Sequence, residues 1–147
     1  MDRLVRDCPP LDTNSRYLYL LMCHHHASTC AAVRDDDGRM IGMVTAYKPP
    51  TEPNTLFVWQ MAVAPQGRGQ SLARKMVQGI LERPGNRDIQ HIQATVSPSN
   101  TASRRVFESL AKHLNTTLTV DPLFEAEHFG GAEHEPENRF SLGPFTP

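Results

Sequence analysis

The sequence predicts a mixed α/β fold with a central sheet of about six to seven strands flanked by helices, and three observations lead there. Residues 56–96 read strand, loop, helix, strand, the order of a parallel crossover unit. Ahead of them lies a hairpin pattern that turns at Asp35-Asp36-Asp37-Gly38. Two later stretches repeat apolar residues at helical spacing: Leu72, Ala73, Met76, Val77, Ile80 and Leu81, then Ala102, Val106, Leu110 and Leu114. Antiparallel pairs around one crossover imply strands running in both directions.

At 147 residues the chain is long enough for one domain with a real core and too short for two, so residues 1–147 are expected to form a single domain. Fifteen basic residues face 16 acidic ones, which leaves no positive surplus for nucleic acid or an anionic membrane. No apolar run reaches the ~18 residues of a membrane span, and no signal-peptide pattern opens the chain. Cys8, Cys23 and Cys30 are odd in number and lack CxxC spacing, so they read as free thiols of a cytoplasmic protein.

Taken in order, residues 5–14 contain Pro9-Pro10, which forces an extended lead-in, and Asp12, Thr13 and Asn14 are each good helix N-caps. Residues 15–23 form a short apolar helix closed by His24-His25-His26, whose charge suits a helix C-terminus. Three adjacent histidines suggest a metal, but successive side chains diverge and none forms an i, i+4 ligand pair, so no metal is expected. Residues 28–34 and 39–48 are the hairpin strands, and Gly42 inside the second marks a bulge or a close approach. A proline-rich loop, 49–54, follows.

Leu56–Val63 is apolar on both alternating sets, as befits a strand covered on both faces, and Pro65 stops it. After the loop 66–71, the helix over 72–83 ends at Pro84-Gly85. Ile89–Val96 is the next strand, with Ser99 as the expected cap of the helix behind it. Thr116–Val120 has strand character, Asp121–Glu137 is irregular and acidic, and Arg139–Leu142 forms a last short strand.

The loop Gln66-Gly67-Arg68-Gly69-Gln70-Ser71 precedes a helix N-terminus, where free amides and the helix dipole favour a phosphate. It contains neither GxGxxG nor GK[ST]. It resembles the acetyl-CoA loop Q/R-x-x-G-x-G/A of the GNAT superfamily of N-acetyltransferases, with Ser71 where that pattern ends in Gly or Ala. The order of elements is also that of the superfamily, whose two central parallel strands splay apart with acetyl-CoA in the gap. A second motif agrees: Asn100 opens the later helix, and Phe107 stands where many members carry a tyrosine that protonates the departing thiolate. Phenylalanine cannot donate that proton.

Four blocks together, CPPLDTNSRYLYLLMCHHHASTC, FVWQMAVAP, TVSPSNTASRRVF and FGGAEHEPE, resemble the diaminobutyrate acetyltransferases of ectoine synthesis over nearly the whole chain. Members of that family carry a further segment before Leu4, so an N-terminal edge strand is expected to be missing here. The resemblance implies acetyl transfer from acetyl-CoA to the side-chain (γ) amine of L-2,4-diaminobutyrate, a role in osmotic stress, and a homodimer. An amine with a pKa near ~10 must lose a proton against ~3 units, or ~4 kcal/mol, to attack near pH 7.

Backbone amides of Met61, Ala62 and Val63 are the expected donors to the thioester carbonyl and pantetheine. Gln66, Gly67, Arg68, Gly69, Gln70 and Ser71 are expected around the pyrophosphate, with Asn100 and Phe107 beside the same cosubstrate. Tyr17 is the candidate replacement for the missing acid. Asp12, Tyr17, Trp59, Thr95, Glu135 and Glu137 are the candidate substrate contacts, with Glu133 adding negative charge and Trp59 a face for a cation. The base is His134, Glu137 or a water.

Plainer readings stand beside these: Asp12 as a helix cap, Trp59 as core, and the acidic loop as a solvated face. Three functional classes remain open. They are transfer to diaminobutyrate or another small amine, a CoA-binding module without turnover, which Phe107 alone favours, and protein acetylation, which wants an open groove.

Overall fold

A computed structural model describes residues 1–9, 11, 13–130 and 134–146. The first half runs α1 (Asp2–Arg6), α2 (Arg16–His25), β1 (Ala31–Arg34), β2 (Met40–Tyr47) and β3 (Thr55–Val63). The second half is α3 (Leu72–Leu81), β4 (His91–Val96), α4 (Thr101–His113), β5 (Leu118–Phe124) and β6 (Glu137–Leu142). The six strands form one sheet in the order β1-β2-β3-β4-β6-β5. Only β3 and β4 pair in parallel, so the sheet is mixed, as the sequence implies.

A bulge in β3 explains why that strand is apolar on both alternating sets. Thr45 pairs with Gln60 and Ala46 with Val58, which leaves Trp59 as an extra residue. One extra residue inverts the alternation of side chains across the sheet. Leu56 and Val58 before it, and Met61 and Val63 after it, pack in the larger core with Val77, Ile80, Phe107 and Leu110 of α3 and α4. Ala62 belongs to the smaller core on the opposite face, with Leu4, Val5, Tyr19 and Met43.

Several boundaries differ from expectation for local reasons. Residues 2–6 are helical, because Leu4 and Val5 are buried against the sheet. The cap of α2 is Ser15, whose hydroxyl accepts from the Leu18 amide (3.3 Å), and not residues 12–14. Asn100 rather than Ser99 caps α4, its carboxamide oxygen accepting from the Ser103 amide (3.0 Å). β5 runs beyond Val120 through Pro122 to Phe124; it is an edge strand, where a missing N–H is tolerated. Gly42 satisfies both readings made of it: Ile41 beside it is the extra residue of a bulge, and a Cβ at Gly42 would lie 3.2 Å from Met76 Cε.

Past α3, a short 3-10 turn (Pro84–Asn86) is tied to the loop before β1. The buried Asn86 carboxamide donates to the carbonyls of Ser28 (2.9 Å) and Ile80 (2.8 Å). Arg83 Nη1 donates to those of Ala27, Ser28 and Cys30 at 3.0, 2.7 and 2.9 Å. Lys48 adds a third tie, from Nζ to the Gly85 carbonyl (2.9 Å) and to Asp88 (2.6 Å).

Candidate active site

The parallel seam between β3 and β4 closes for three pairs only, Thr55–His91, Leu56–Ile92 and Phe57–Gln93. Beyond them the strands part. Val58–Val63 stays with β2, and Ala94–Val96 stays with β6. Bulges bend a strand and increase its twist, and the one at Trp59 sits where the seam opens.

The ladder shows which backbone groups face the gap. The Ala64 amide donates to the Ile41 carbonyl (2.8 Å), and hydrogen-bonded pairs alternate along an antiparallel ladder. Continuing the register Gly42–Val63 and Met43–Ala62, the Ala62 amide is turned to β2, while Met61 and Val63 direct N–H and C=O into the gap. The three amides expected as donors are therefore two; Ala62 supplies wall and no amide. In the gap the Cys8 thiol lies 3.6 Å from the Val63 carbonyl. Burial pushes that thiol up from its ordinary pKa, with the nearby Arg68 guanidinium opposing the shift.

A cavity of about 360 Å³ fills the gap. Of the residues expected at the cosubstrate, Met61, Ala62, Val63, Arg68, Asn100 and Phe107 line it. Cys8, Leu11 and Val106 also line it, and the sequence assigned none of them there. Their signal is indirect: Leu11 and Cys8 precede a helix that covers the sheet, and Val106 is one residue from a motif position. Phe107 is buried, with its ring 5.9 Å from that of Phe140.

The loop leading into α3 is built to present amides. Those of Gly69, Gln70, Ser71, Leu72, Ala73 and Arg74 have no hydrogen-bond partner among the described residues. Gly69 (φ +76°) and Ser71 (φ +57°) both take the left-handed conformation. A Cβ at Gly69 would meet nothing within 4 Å. Gly67 differs: a Cβ there would press on Leu72 Cδ1 (2.9 Å), Val63 Cγ1 (3.2 Å) and the Ile41 carbonyl (3.3 Å). Gly67 serves packing, and Gly69 serves the open side. Gln66 accepts at its carbonyl from the Gln70 side chain (3.2 Å), which braces the loop.

The expected acceptor-side residues are more scattered. Tyr17 is 67 % exposed and does not line the cavity; Tyr19, two residues on, is buried with its hydroxyl donating to Gln60 Oε1 (2.8 Å). Trp59 is half-exposed at the bulge. Thr95 is on β4 directly opposite Arg139 of β6, and Glu137 begins β6. His134 stacks on Phe129 (centroids 3.9 Å apart), and its Nδ1 lies 2.6 Å from the Glu135 carbonyl oxygen. Glu135 accepts at Oε2 from the Ser99 amide (3.1 Å), so it holds the turn ahead of α4. Asp12 and Glu133 lie outside the described residues. Among the described residues no group of three or more His, Cys, Asp or Glu is placed to hold a metal ion, and no helix is long and apolar enough to cross a membrane.

Residues 1–111 match the Acetyltransferase (GNAT) family. The L-2,4-diaminobutyric acid acetyltransferase of Bordetella parapertussis is 48 % identical over 144 residues, 98 % of this chain and 77 % of that protein. That of Chromohalobacter salexigens is 42 % identical over 144 residues, 98 % of this chain and 74 % of the relative. Among solved structures, diaminobutyrate acetyltransferase EctA from Paenibacillus lautus, in complex with its substrate L-2,4-diaminobutyric acid and coenzyme A, superposes with a TM-score of 0.91. It is 39 % identical and covers 99 % of this chain and 87 % of its own. The chain thus belongs to the acetyltransferase (GNAT) family, among the L-2,4-diaminobutyric acid acetyltransferases.

Proposed function

We propose that this protein transfers acetyl from acetyl-CoA to the γ-amine of L-2,4-diaminobutyrate, a step of ectoine synthesis, releasing CoA and the N-γ-acetyl product. We further propose that residues 1–147 act as one domain, in a cytoplasmic homodimer that serves cells under osmotic stress. One observation carries the reading of the chemistry: the parted β3–β4 seam, whose Met61 and Val63 amides lead to the unpartnered amides of residues 69–74. The first pair suits a thioester and its pantetheine arm, and the second a pyrophosphate. Relatives named for this activity support the choice of amine. Exposed Val120, Leu123, Phe124 and Phe129 around the edge strand β5 support the dimer.

The amine must be neutral to attack. His134, whose Nδ1 lies 2.6 Å from the Glu135 carbonyl oxygen, is the candidate base. Glu137 or a water is the alternative. A thiol pKa of ~8.5 makes CoA a fair leaving group, so the buried Phe107 is compatible with turnover, and the thiolate takes its proton from water. CoA release in the presence of diaminobutyrate, with the acetylated nitrogen identified by NMR, tests the reading. Acetyl-CoA binding without CoA release would instead assign a binding module.

A further inference from the structure

The acceptor side described so far offers carboxylates and an aromatic ring to the cationic ends of the substrate and nothing to its carboxylate. We propose that Arg139 binds the α-carboxylate of diaminobutyrate while Glu137, two residues earlier on β6, takes the α-ammonium. The γ-amine alone then reaches the parted seam. The proposal rests on the functional reading above.

The faces of the strands place these residues together. On β6, Phe140 and Leu142 pack in the larger core, so Glu137, Arg139 and Ser141 project from the opposite face. On β4, Ile92, Ala94 and Val96 are in the same core, which puts Gln93 and Thr95 on that opposite face as well. Thr95 and Arg139 are direct cross-strand partners, and such residues hold their Cβ atoms ~5 Å apart. Residues two apart on a strand are spaced ~6.6 Å on one face, a fit for the two charged groups on one α-carbon. Only β4, ~4.8 Å from β6, separates this pair from the gap, a span suited to two methylenes and an amine.

The guanidinium is also underused. Arg139 Nε is buried without a hydrogen-bond partner among the described residues. Its ion pair runs from Nη2 to Asp121 Oδ2 at 3.9 Å, beyond hydrogen-bond length. Arg83, by contrast, puts a single Nη1 against three carbonyls at 2.7 to 3.0 Å. An arginine carries five N–H donors in a planar fork that matches a carboxylate, and a buried donor left without an acceptor is unfavourable. The substrate carboxylate supplies that acceptor.

The test compares kcat/KM for diaminobutyrate and for 1,3-diaminopropane, which is diaminobutyrate without its carboxylate. The parent protein should prefer diaminobutyrate by roughly tenfold or more, the effect of deleting one partner of a charge pair that is only partly desolvated, since the Arg139 side chain is 40 % exposed. Arg139→Gln should abolish most of that preference through diaminobutyrate alone, leaving 1,3-diaminopropane turnover and the KM for acetyl-CoA within about twofold. Arg139→Lys, which keeps the charge and loses the fork, should restore part of it. Equal kcat/KM for the two amines in the parent overturns the assignment without any variant. An equal fall for both amines in Arg139→Gln overturns it too, by marking Arg139 as structural. A parent that releases no CoA with either amine refutes the functional reading itself.

Discussion

The helix α3 is flanked by two loops of similar composition and opposite construction. Each holds a 3-10 turn that starts at a proline and contains a glycine, Pro65–Gly67 before the helix and Pro84–Asn86 after it. In the second, Arg83, Asn86 and Lys48 satisfy five carbonyls between them, and Asn86 is 1 % exposed. In the first, six successive amides from Gly69 to Arg74 have no partner among the described residues. Because a protein keeps its own polar groups satisfied wherever it can, a run of unpartnered donors marks the place where something else supplies the acceptor. The contrast separates a loop whose polar groups the fold uses from a loop whose donors it leaves open.

The largest effect should come from placing negative charge in the open loop. Gly69→Asp should raise the KM for acetyl-CoA by ~100-fold, since a carboxylate would face the pyrophosphate across the same amides. The fold should survive, because a Cβ at Gly69 meets nothing within 4 Å and Asp tolerates the left-handed conformation. An acetyl-CoA KM equal to that of the parent would return the loop to an ordinary turn. The closed loop should respond in the other observable. Asn86→Ala strips buried carbonyls of their donor and should cost about 2 kcal/mol, lowering Tm by roughly 4–8 °C, with the acetyl-CoA KM unchanged. A shifted KM at constant Tm would break the comparison.

Smaller effects sharpen it. Phe107→Tyr restores the hydroxyl of the motif beside the cavity, and kcat should rise by less than about threefold, because a thiolate of pKa ~8.5 already leaves well. A tenfold or greater gain, measured under saturating amine, would make proton donation the slow event. The smallest effect belongs to the closed loop. The hydrogen bond from Lys48 holds the Asp88 carboxyl below its ordinary pKa. A carboxyl whose folded pKa is depressed adds stability above its unfolded value and loses it as pH falls through the folded one. The pair therefore acts at neutral pH and fades below about pH 4. Being largely exposed, it should contribute well under ~1 kcal/mol, read as a slightly shallower loss of Tm between neutral and acid pH in Asp88→Asn.

Much of this architecture was legible from residue patterns. The crossover unit, the hairpin at Asp35–Gly38 and the two amphipathic helices follow from periodicity, and the amide loop from its glycines. What periodicity missed has physical causes. The five-residue α1 lacks a side-chain cap and is too short to show a period. The bulge at Trp59 hides in a strand whose two faces are both apolar, so nothing in the pattern reveals the inversion. Tyr17 is the donor expected from the sequence, but two residues along a helix turn the side chain by ~200°, leaving Tyr17 exposed and Tyr19 bonded to Gln60. Arg139 belongs to no motif, and its importance emerges only when an empty donor is seen beside Thr95.

The opening between β3 and β4 leaves the Met61–Val63 edge of β3 without a strand partner among the described residues. Three residue pairs, Thr55 to Phe57 with His91 to Gln93, join a half-sheet of β1, β2 and β3 to a half-sheet of β4, β6 and β5, and the Asn54 carbonyl, accepting from the Gln90 and His91 amides, closes their far end. Whatever lies there becomes a surrogate seventh strand and must match the spacing of alternate residues, ~6.6 Å, at which Met61 and Val63 offer their groups. Occupancy then joins the two halves as well as feeding the chemistry. Its signature is a sawtooth in amide exchange along one strand: Met61 and Val63 slow when acetyl-CoA is added, while Ala62 between them, already bonded to β2, keeps its pace.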